Sequence, residues 1–149
     1  MAKKPPKRIA IDHDEYLAEY VGRTRDGKQF FLTIPLEPAR NGKEGREFLA
    51  LLLFDAKGKL LEAKIDDLGP RATLDHEKRV ALRDQRLGEL DGPSFERIEI
   101  APFSIDRFGI AFGLIPREPE DDDDTWAVEL QPGNFMAFFP PWDSGIYDT

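Results

Sequence analysis

The sequence contains no cysteine and only two histidines in 149 residues. Without thiols, disulfides, zinc–thiolate sites and cysteine nucleophiles are excluded. No apolar run reaches the roughly 20 residues that a membrane-spanning helix needs. The basic opening MAKKPPKRIA is not followed by an apolar run of signal-peptide length. We therefore expect a cytoplasmic protein that has no membrane partner.

Basic residues are outnumbered by acidic ones, which gives a formal net charge of −8. Such a surface repels nucleic acid phosphates unless a basic face is segregated, so no nucleic acid partner is expected. The basic cluster is confined to the start of the chain, and we predict that residues 1–10 form a basic disordered tail. With 40% hydrophobic residues, the predicted single α+β domain covers residues 11–149, including a packed C-terminal segment.

Turn signals divide the chain into four predicted hairpins. Asp26-Gly27 suits a two-residue turn, because glycine accepts the positive φ that such a turn needs. The apolar run 48–54 predicts a strand covered on both faces, and the turn at 55–58 leads to a half-exposed partner strand. Pro102 marks an edge or a bulge in the third hairpin. Pro132-Gly133 fits the centre of a type II turn in the fourth.

Residues 73–91 lack alternation and are rich in helix formers. Thr73 or Asp75 can cap the start of a helix, and Gly88 or Gly92 can end it. One helix cannot supply the crossovers that parallel strands need. The predicted fold class is α+β: a mostly antiparallel sheet or partly open barrel of about eight strands in four hairpins, with one amphipathic helix. The free edges of such sheets also allow a homodimer.

Three stretches approach known binding signatures without completing them. HEKRV begins like a zinc-protease motif, but Val80 stands where the second histidine is required. GRTRDGKQ has the spacing of a phosphate loop, but Gln29 replaces the Ser or Thr and a strand follows. EPEDDDD lacks the glycine and glutamate of an EF-hand, whether the loop starts at Asp121 or Asp122. We predict no metal and no cofactor.

Catalytic constellations are also incomplete in this sequence. IDHDEY, residues 11–16, joins one histidine to three acids, but neither a nucleophile nor a second histidine is nearby. Ser144 lies in WDSGI, which lacks the leading glycine of a nucleophile elbow and is typical of a turn. The sequence therefore favours a protein that is not an enzyme.

The last residues, FFPPWDSGIYDT, are aromatic and acidic. Pro140-Pro141 ends the final strand because proline cannot donate to a ladder. We predict that residues 140–149, the C-terminal segment, pack back on the sheet and bury Trp142, Ile146 and Tyr147. The alternative is an exposed peptide that docks a partner. The candidate binding residues are Trp126, Trp142, Asp143, Tyr147 and Asp148. The candidate acidic partner loop comprises Glu118, Glu120, Asp121, Asp122, Asp123 and Asp124.

A resemblance to known proteins is carried by four stretches: YVGRTRDGKQFF, LFDAKGKLLEA, IAPFSIDRFGIAFGLI and WAVELQPGNFMAFFPPWDSGIYDT. They resemble a group of small bacterial proteins, some labelled formate hydrogenlyase regulatory protein and others uncharacterised. The resemblance spans most of residues 16–149, and its most specific part is the terminal Pro-Trp-Asp with Tyr-Asp-Thr. It implies a stand-alone bacterial protein and assigns no site residues.

These observations lead to one main functional hypothesis and two alternatives. The main hypothesis is a non-catalytic cytoplasmic binding or regulatory module that engages a protein partner through acidic and aromatic surface. The first alternative is a small-ligand binder or hydrolase-type enzyme with carboxylates in an aromatic cleft, and its signature would be two carboxylates of raised pKa in one pocket. The second alternative is an immunity-type inhibitor of a basic toxin. It is suggested by analogy, because small acidic α+β proteins suit that role by their charge.

Overall fold

The computed structural model describes residues 4–133 and 135–149. These residues form one α-helix, α1 (His76–Gly88), one 3-10 helix (Arg71–Thr73) and twelve strands. The strands are β1 (Ile9–Ile11), β2 (Val21–Arg23), β3 (Gln29–Thr33), β4 (Leu36–Glu37), β5 (Arg46–Phe54), β6 (Leu60–Pro70), β7 (Ser94–Phe95), β8 (Ile98–Ile100), β9 (Phe103–Arg107), β10 (Ile110–Arg117), β11 (Ala127–Gln131) and β12 (Ala137–Phe138).

The described strands form three sheets in which every pairing is antiparallel. The first has the order β4-β5-β3-β2-β7 and carries β6 on β5, the second has the order β12-β11-β10-β9, and the third is β1-β8. The predicted α+β class is confirmed, and the sheets do not close into a barrel. The four predicted hairpins are β2–β3, β5–β6, β9–β10 and β11–β12.

The strand count is twelve rather than about eight, because four short strands lie outside the hairpins. These are β1, β4, β7 and β8. The break at Pro102 has a clear consequence: it ends β8, which pairs with β1, and β9 then begins in a different sheet. A proline that cannot donate to a ladder thus marks the point where the chain changes sheets.

Strand β5 is buried on both faces, as its continuous apolar run predicts. Ala50, Leu52 and Phe54 point into a cluster shared with β1, β8, β10, β11 and β12. Leu49 and Leu51 point the other way, into a cluster that α1 covers with Leu82 and Leu87. Because side chains alternate along a strand, one strand contributes to both cores, and the molecule has three layers.

Helix α1 is shorter than the predicted span of 73–91 and begins after Asp75. The Asp75 carboxylate accepts a hydrogen bond from the backbone N–H of Lys78 at 3.2 Å, so it is the cap. Thr73, the other predicted cap, lies in the 3-10 helix. Among the described residues, no helix has the length and apolar character required to cross a bilayer.

The first hairpin turns through three residues, so the predicted two-residue turn at Asp26-Gly27 is wrong. The N–H of Thr24 bonds the carbonyl of Lys28 at 2.8 Å, and the N–H of Gly27 bonds back to Thr24 at 3.1 Å. Only Gly27 takes a positive φ, 87°. This is a turn closed by a left-handed residue, the usual form of a three-residue hairpin. Gly58, with φ 96°, plays the same part in the second hairpin, as predicted.

The predicted boundary between tail and domain is also corrected. Ile9 and Ala10 are 1% and 2% exposed and belong to β1, which pairs with β8. The packed domain therefore begins at Ile9, because the apolar run Ile9–Ile11 joins the core. Of the predicted tail, residues 1–3 lie outside the described residues, and Lys4, Lys7 and Arg8 are exposed.

Gln29 is the most completely buried polar side chain in the described core, at 0% exposure. Its Nε2 donates to the carbonyls of Asp55 at 3.1 Å and Glu99 at 2.9 Å, and its Oε1 accepts from the N–H of Glu99 at 2.7 Å. One side chain thereby connects β3, the β5–β6 turn and β8. Because the buried amide forms all of these hydrogen bonds, it fixes the relative position of the three elements.

We expect Gln29→Ala to destabilise the protein by about 2–4 kcal/mol, because backbone groups at Asp55 and Glu99 would lose their partner inside the core. Urea unfolding followed by circular dichroism measures this change. Gln85→Ala, at an exposed position of α1, is the control and should change the free energy of unfolding by less than about 0.5 kcal/mol. Equal effects of the two substitutions would contradict the assigned role of Gln29.

Candidate functional site

The C-terminal segment lies along β1 and the IDHDEY stretch. The N–H of Ala10 bonds the carbonyl of Trp142 at 2.9 Å, and the N–H of Asp12 bonds the carbonyl of Gly145 at 3.0 Å. Trp142 packs against the core that β1 shares with the four-stranded sheet. The segment therefore packs back on the sheets, as predicted, while Ile146 within it is 71% exposed.

The same segment also reaches the four-stranded sheet. Asp148 exchanges both backbone hydrogen bonds with Ala137 of β12, at 2.9 and 2.8 Å. The segment thus joins the β1–β8 pair to the edge of the other sheet, and Asp148 contributes through its backbone. Gly145 has φ 80°, and a side chain there would collide with the Asp12 carboxylate. Only glycine fits this approach.

Tyr147 fastens the C-terminal segment to the loop that follows β1. Its ring packs near Phe138, with ring centroids 6.1 Å apart. Its hydroxyl donates to Asp14 and accepts from the N–H of Leu17 at 3.2 Å. The other oxygen of Asp14 accepts from the backbone N–H groups of Tyr16 at 2.9 Å and Ala18 at 3.0 Å. All of these bonds hold the loop in place.

In the Asp14–Tyr147 pair, the pKa of each group lies further from 7 than usual. Burial raises the pKa of Asp14, but hydrogen bonds from Tyr147 and from two backbone N–H groups outweigh it and leave that pKa below its usual value. Burial, reinforced by the hydrogen bond to Asp14, raises the pKa of Tyr147 to about 12. At neutral pH the carboxylate is ionised and the phenol is protonated, so neither suits general acid–base catalysis.

Asp12 and His13 of IDHDEY also have structural partners. Asp12 forms an ion pair with Arg97 at 2.9 Å, and Arg97 also donates to the carbonyl of Asp143. The ring of His13 stacks on Phe95, with centroids 5.7 Å apart. The stretch therefore organises the junction between the two ends of the described chain. No group of three or more potential metal ligands occurs within residues 4–133 and 135–149.

Two open grooves flank Tyr16 on this face. One, of about 430 Å³, is lined by Asp12, Asp14 and Ile146 among others. The other, of about 230 Å³, is lined mainly by apolar residues that include Leu17, Ile34 and Phe135. Tyr16 is 67% exposed and Ile146 is 71% exposed. We call these two residues, with the grooves beside Tyr16, the Tyr16 ridge. The predicted burial of Ile146 is wrong.

The five residues predicted to bind do not share one of these grooves. Trp142 and Asp143 line a separate groove of about 500 Å³, together with Lys7 and Arg8. Tyr147 lines the groove beside Ile146. Trp126, which is half-buried just before β11, lines neither of these two grooves. Asp148 lines neither of them either. Sequence reasoning missed Tyr16 and Ile146 as a pair, because they are far apart in the chain and no local pattern links them.

The acidic loop between β10 and β11 is organised by its last residue. Asp124 accepts from the N–H groups of Glu120 at 3.0 Å and Thr125 at 2.8 Å, and Arg117 donates to it at 2.9 Å. These bonds, the backbone ones first, lower the pKa of Asp124. Asp124 therefore holds the loop. The exposed acidic residues of the loop are Glu118, Glu120, Asp121, Asp122 and Asp123.

No family model, no curated protein and no solved structure matches this chain. Its function must therefore be argued from the geometry of the molecule. That geometry offers exposed apolar side chains beside grooves, ionised carboxylates that already have partners, and a phenol that keeps its proton. Such a surface can bind, and the residues at the junction have no nucleophile activated by an adjacent base.

We expect Tyr147→Phe to lower the free energy of unfolding by about 1–2 kcal/mol, because Asp14 loses a donor and the N–H of Leu17 loses an acceptor. Chemical unfolding at pH 7 measures the loss. Tyr16→Phe removes a hydroxyl from an exposed ring and should change stability by less than about 0.5 kcal/mol. A loss in Tyr16→Phe as large as that in Tyr147→Phe would contradict the assignment.

The same variant tests the pKa of Tyr147. Since this pKa rises from 10.0 to about 12 on folding, the stability from the protonated phenol is fully present below pH 10 and is lost as the pH rises towards 12. The stability gap between the wild type and Tyr147→Phe should therefore narrow over this interval in unfolding curves recorded at successive pH values. A gap that stays constant would show that Tyr147 titrates normally.

Proposed function

We propose that this chain is a non-catalytic binding module with a regulatory role, and that it engages a protein partner through the Tyr16 ridge. The observation that carries the proposal is the exposure of Tyr16 and Ile146, 67% and 71%, beside two grooves on one face. Large apolar side chains clustered at the surface are typical of interaction sites. Tyrosine is among the residues that contribute most to protein interfaces.

The charge around the ridge indicates the chemistry of the partner. Asp12, Asp14 and Glu19 line the two grooves, and Arg83 lies in the smaller one. The whole chain has a net charge of −8. A partner that presents an apolar side chain flanked by lysine or arginine would be complementary. The exposed carboxylates of the acidic loop would then increase its association rate by electrostatic steering.

The alternative of an enzyme finds less support at this site. Its signature would be two carboxylates of raised pKa in one cleft, whereas the pKa of Asp14 is lowered. The predicted aromatic and acidic residues are divided between separate grooves.

We also retain a cytoplasmic location as part of the proposal. The resemblance to small bacterial proteins, some labelled as regulators, motivates its regulatory part.

Site-specific photo-cross-linking tests the proposal directly. A photoreactive phenylalanine analogue placed at position 16 should capture one protein in cells of the source organism. The same analogue at position 108 is the matched control, because Phe108 is also an exposed aromatic residue, at 57%, in the β9–β10 turn. Cross-linking of the same proteins from both positions would count against the Tyr16 ridge.

Binding of the captured protein is then measured with purified components. Substituting serine at Tyr16 or Ile146 should weaken binding at least about tenfold, as expected for the central residues of an interface. Phe108→Ser should leave binding unchanged, and added salt should slow association. Binding that is insensitive to Tyr16 and Ile146 would refute the proposal. If the partner is a toxin that the chain inhibits, the immunity-type alternative replaces the regulatory role.

A further inference from the structure

One edge of strand β6 pairs with none of the described strands. It spans 11 residues, Leu60–Pro70, and among the described strands it pairs only with β5. Strands β3 and β4 pair with β5 at residues that β6 also pairs with, so they must occupy the opposite edge of β5. The outer backbone groups of β6 therefore lack a strand partner, and such an edge is a template for another strand.

Two irregularities limit how this edge can pair. Register shifts in the β5–β6 ladder leave Leu61 and Leu68 without opposite residues. Between them, Glu62–Asp67 pair with β5 one by one. Bulges twist a strand and interrupt its ladder. A strand added to β6 would therefore find a regular template over these six residues, and the permitted registers are few.

We propose that the partner at this edge is a second copy of the chain, paired antiparallel to β6 about a two-fold axis at Ile65. An axis at Lys64 or at Asp66 would place like charges directly opposite each other, which is unfavourable. An axis at Ala63 would keep only three residue pairs within the regular stretch Glu62–Asp67, whereas an axis at Ile65 keeps five. The axis at Ile65 instead sets each Lys64 opposite Asp66 of the second copy.

The surroundings of these two residues make that register electrostatically balanced. Lys64 lies 3.3 Å from Glu89, the C-cap of α1, and Asp66 lies 2.9 Å from Arg86. Both side chains therefore point to the face of the sheet that α1 covers. In the proposed dimer, Lys64 pairs with Glu89 of its own chain and with Asp66 of the second copy. That Asp66 also forms an ion pair with Arg86 of the second copy. Because Arg86 also bonds Glu89 at 3.1 Å, these pairs form one network across the axis with four positive and four negative groups.

This edge is separate from the Tyr16 ridge. No residue of β6 lines either groove beside Tyr16. Pairing of two copies through β6 therefore leaves the ridge accessible, and the two proposals can fail independently.

Sedimentation equilibrium over a wide concentration range tests the dimer. The wild type should reach twice the 17.0 kDa mass of the chain. Lys64→Glu should raise the dimer dissociation constant at least about tenfold, because like charges then face each other twice. Lys59→Glu makes the same charge change in the exposed β5–β6 turn and should leave dimerisation unchanged. A wild type that stays monomeric, or equal effects of both substitutions, would overturn the proposal.

Single cysteines test the register without dependence on stability, since the chain has no other cysteine. Residues at the axis have Cα atoms about 5 Å apart, within reach of a disulfide, so Ile65→Cys should form a covalent dimer under mild oxidation. Glu62→Cys places the two thiols about 20 Å apart and should not. Preferential cross-linking of Ala63→Cys, or none at Ile65→Cys, would overturn this register.

Discussion

The whole architecture depends on one constraint: β5 is apolar at nearly every position, so both of its faces must be kept from water. A single sheet cannot meet this requirement. Helix α1 covers the face that carries Leu49 and Leu51, and the second and third sheets cover the face that carries Leu52 and Phe54. Gln29 then aligns the layers, because its buried amide forms hydrogen bonds with the β5–β6 turn at Asp55 and with β8 at Glu99.

The docking of the C-terminal segment follows from this layered core. Its aromatic residues complete the cluster between the sheets, and the hydroxyl of Tyr147 needs a partner once its ring is half-buried. Asp14 supplies that partner and fixes the loop that carries Tyr16. Carboxylates that resembled a reactive cluster in the sequence are thus engaged in holding the loop and in pairing with Arg97. Two large apolar side chains, Tyr16 and Ile146, remain exposed at this junction.

Charge has two distinct roles on this surface. Asp124 and Asp66 act locally, through short hydrogen bonds to Arg117 and Arg86 that shape a loop and position the helix. The exposed acids of the 118–124 loop act through their field, which reaches about 8–10 Å at physiological salt. A net charge of this size disfavours non-specific self-association.

The sequence by itself determined the four hairpins, the single helix with Asp75 as one of two candidate caps, and the two-sided burial of β5. Each of these depends on residues within one turn or one strand of each other, so local pattern is sufficient. It also pointed to the packing of the C-terminal segment, but not to the exposure of Ile146. Only the tertiary structure decided which residues form the Tyr16 ridge, because Asp14 and Tyr147 are 133 positions apart. Contacts at that separation arise from the packing of whole layers, which no local periodicity encodes.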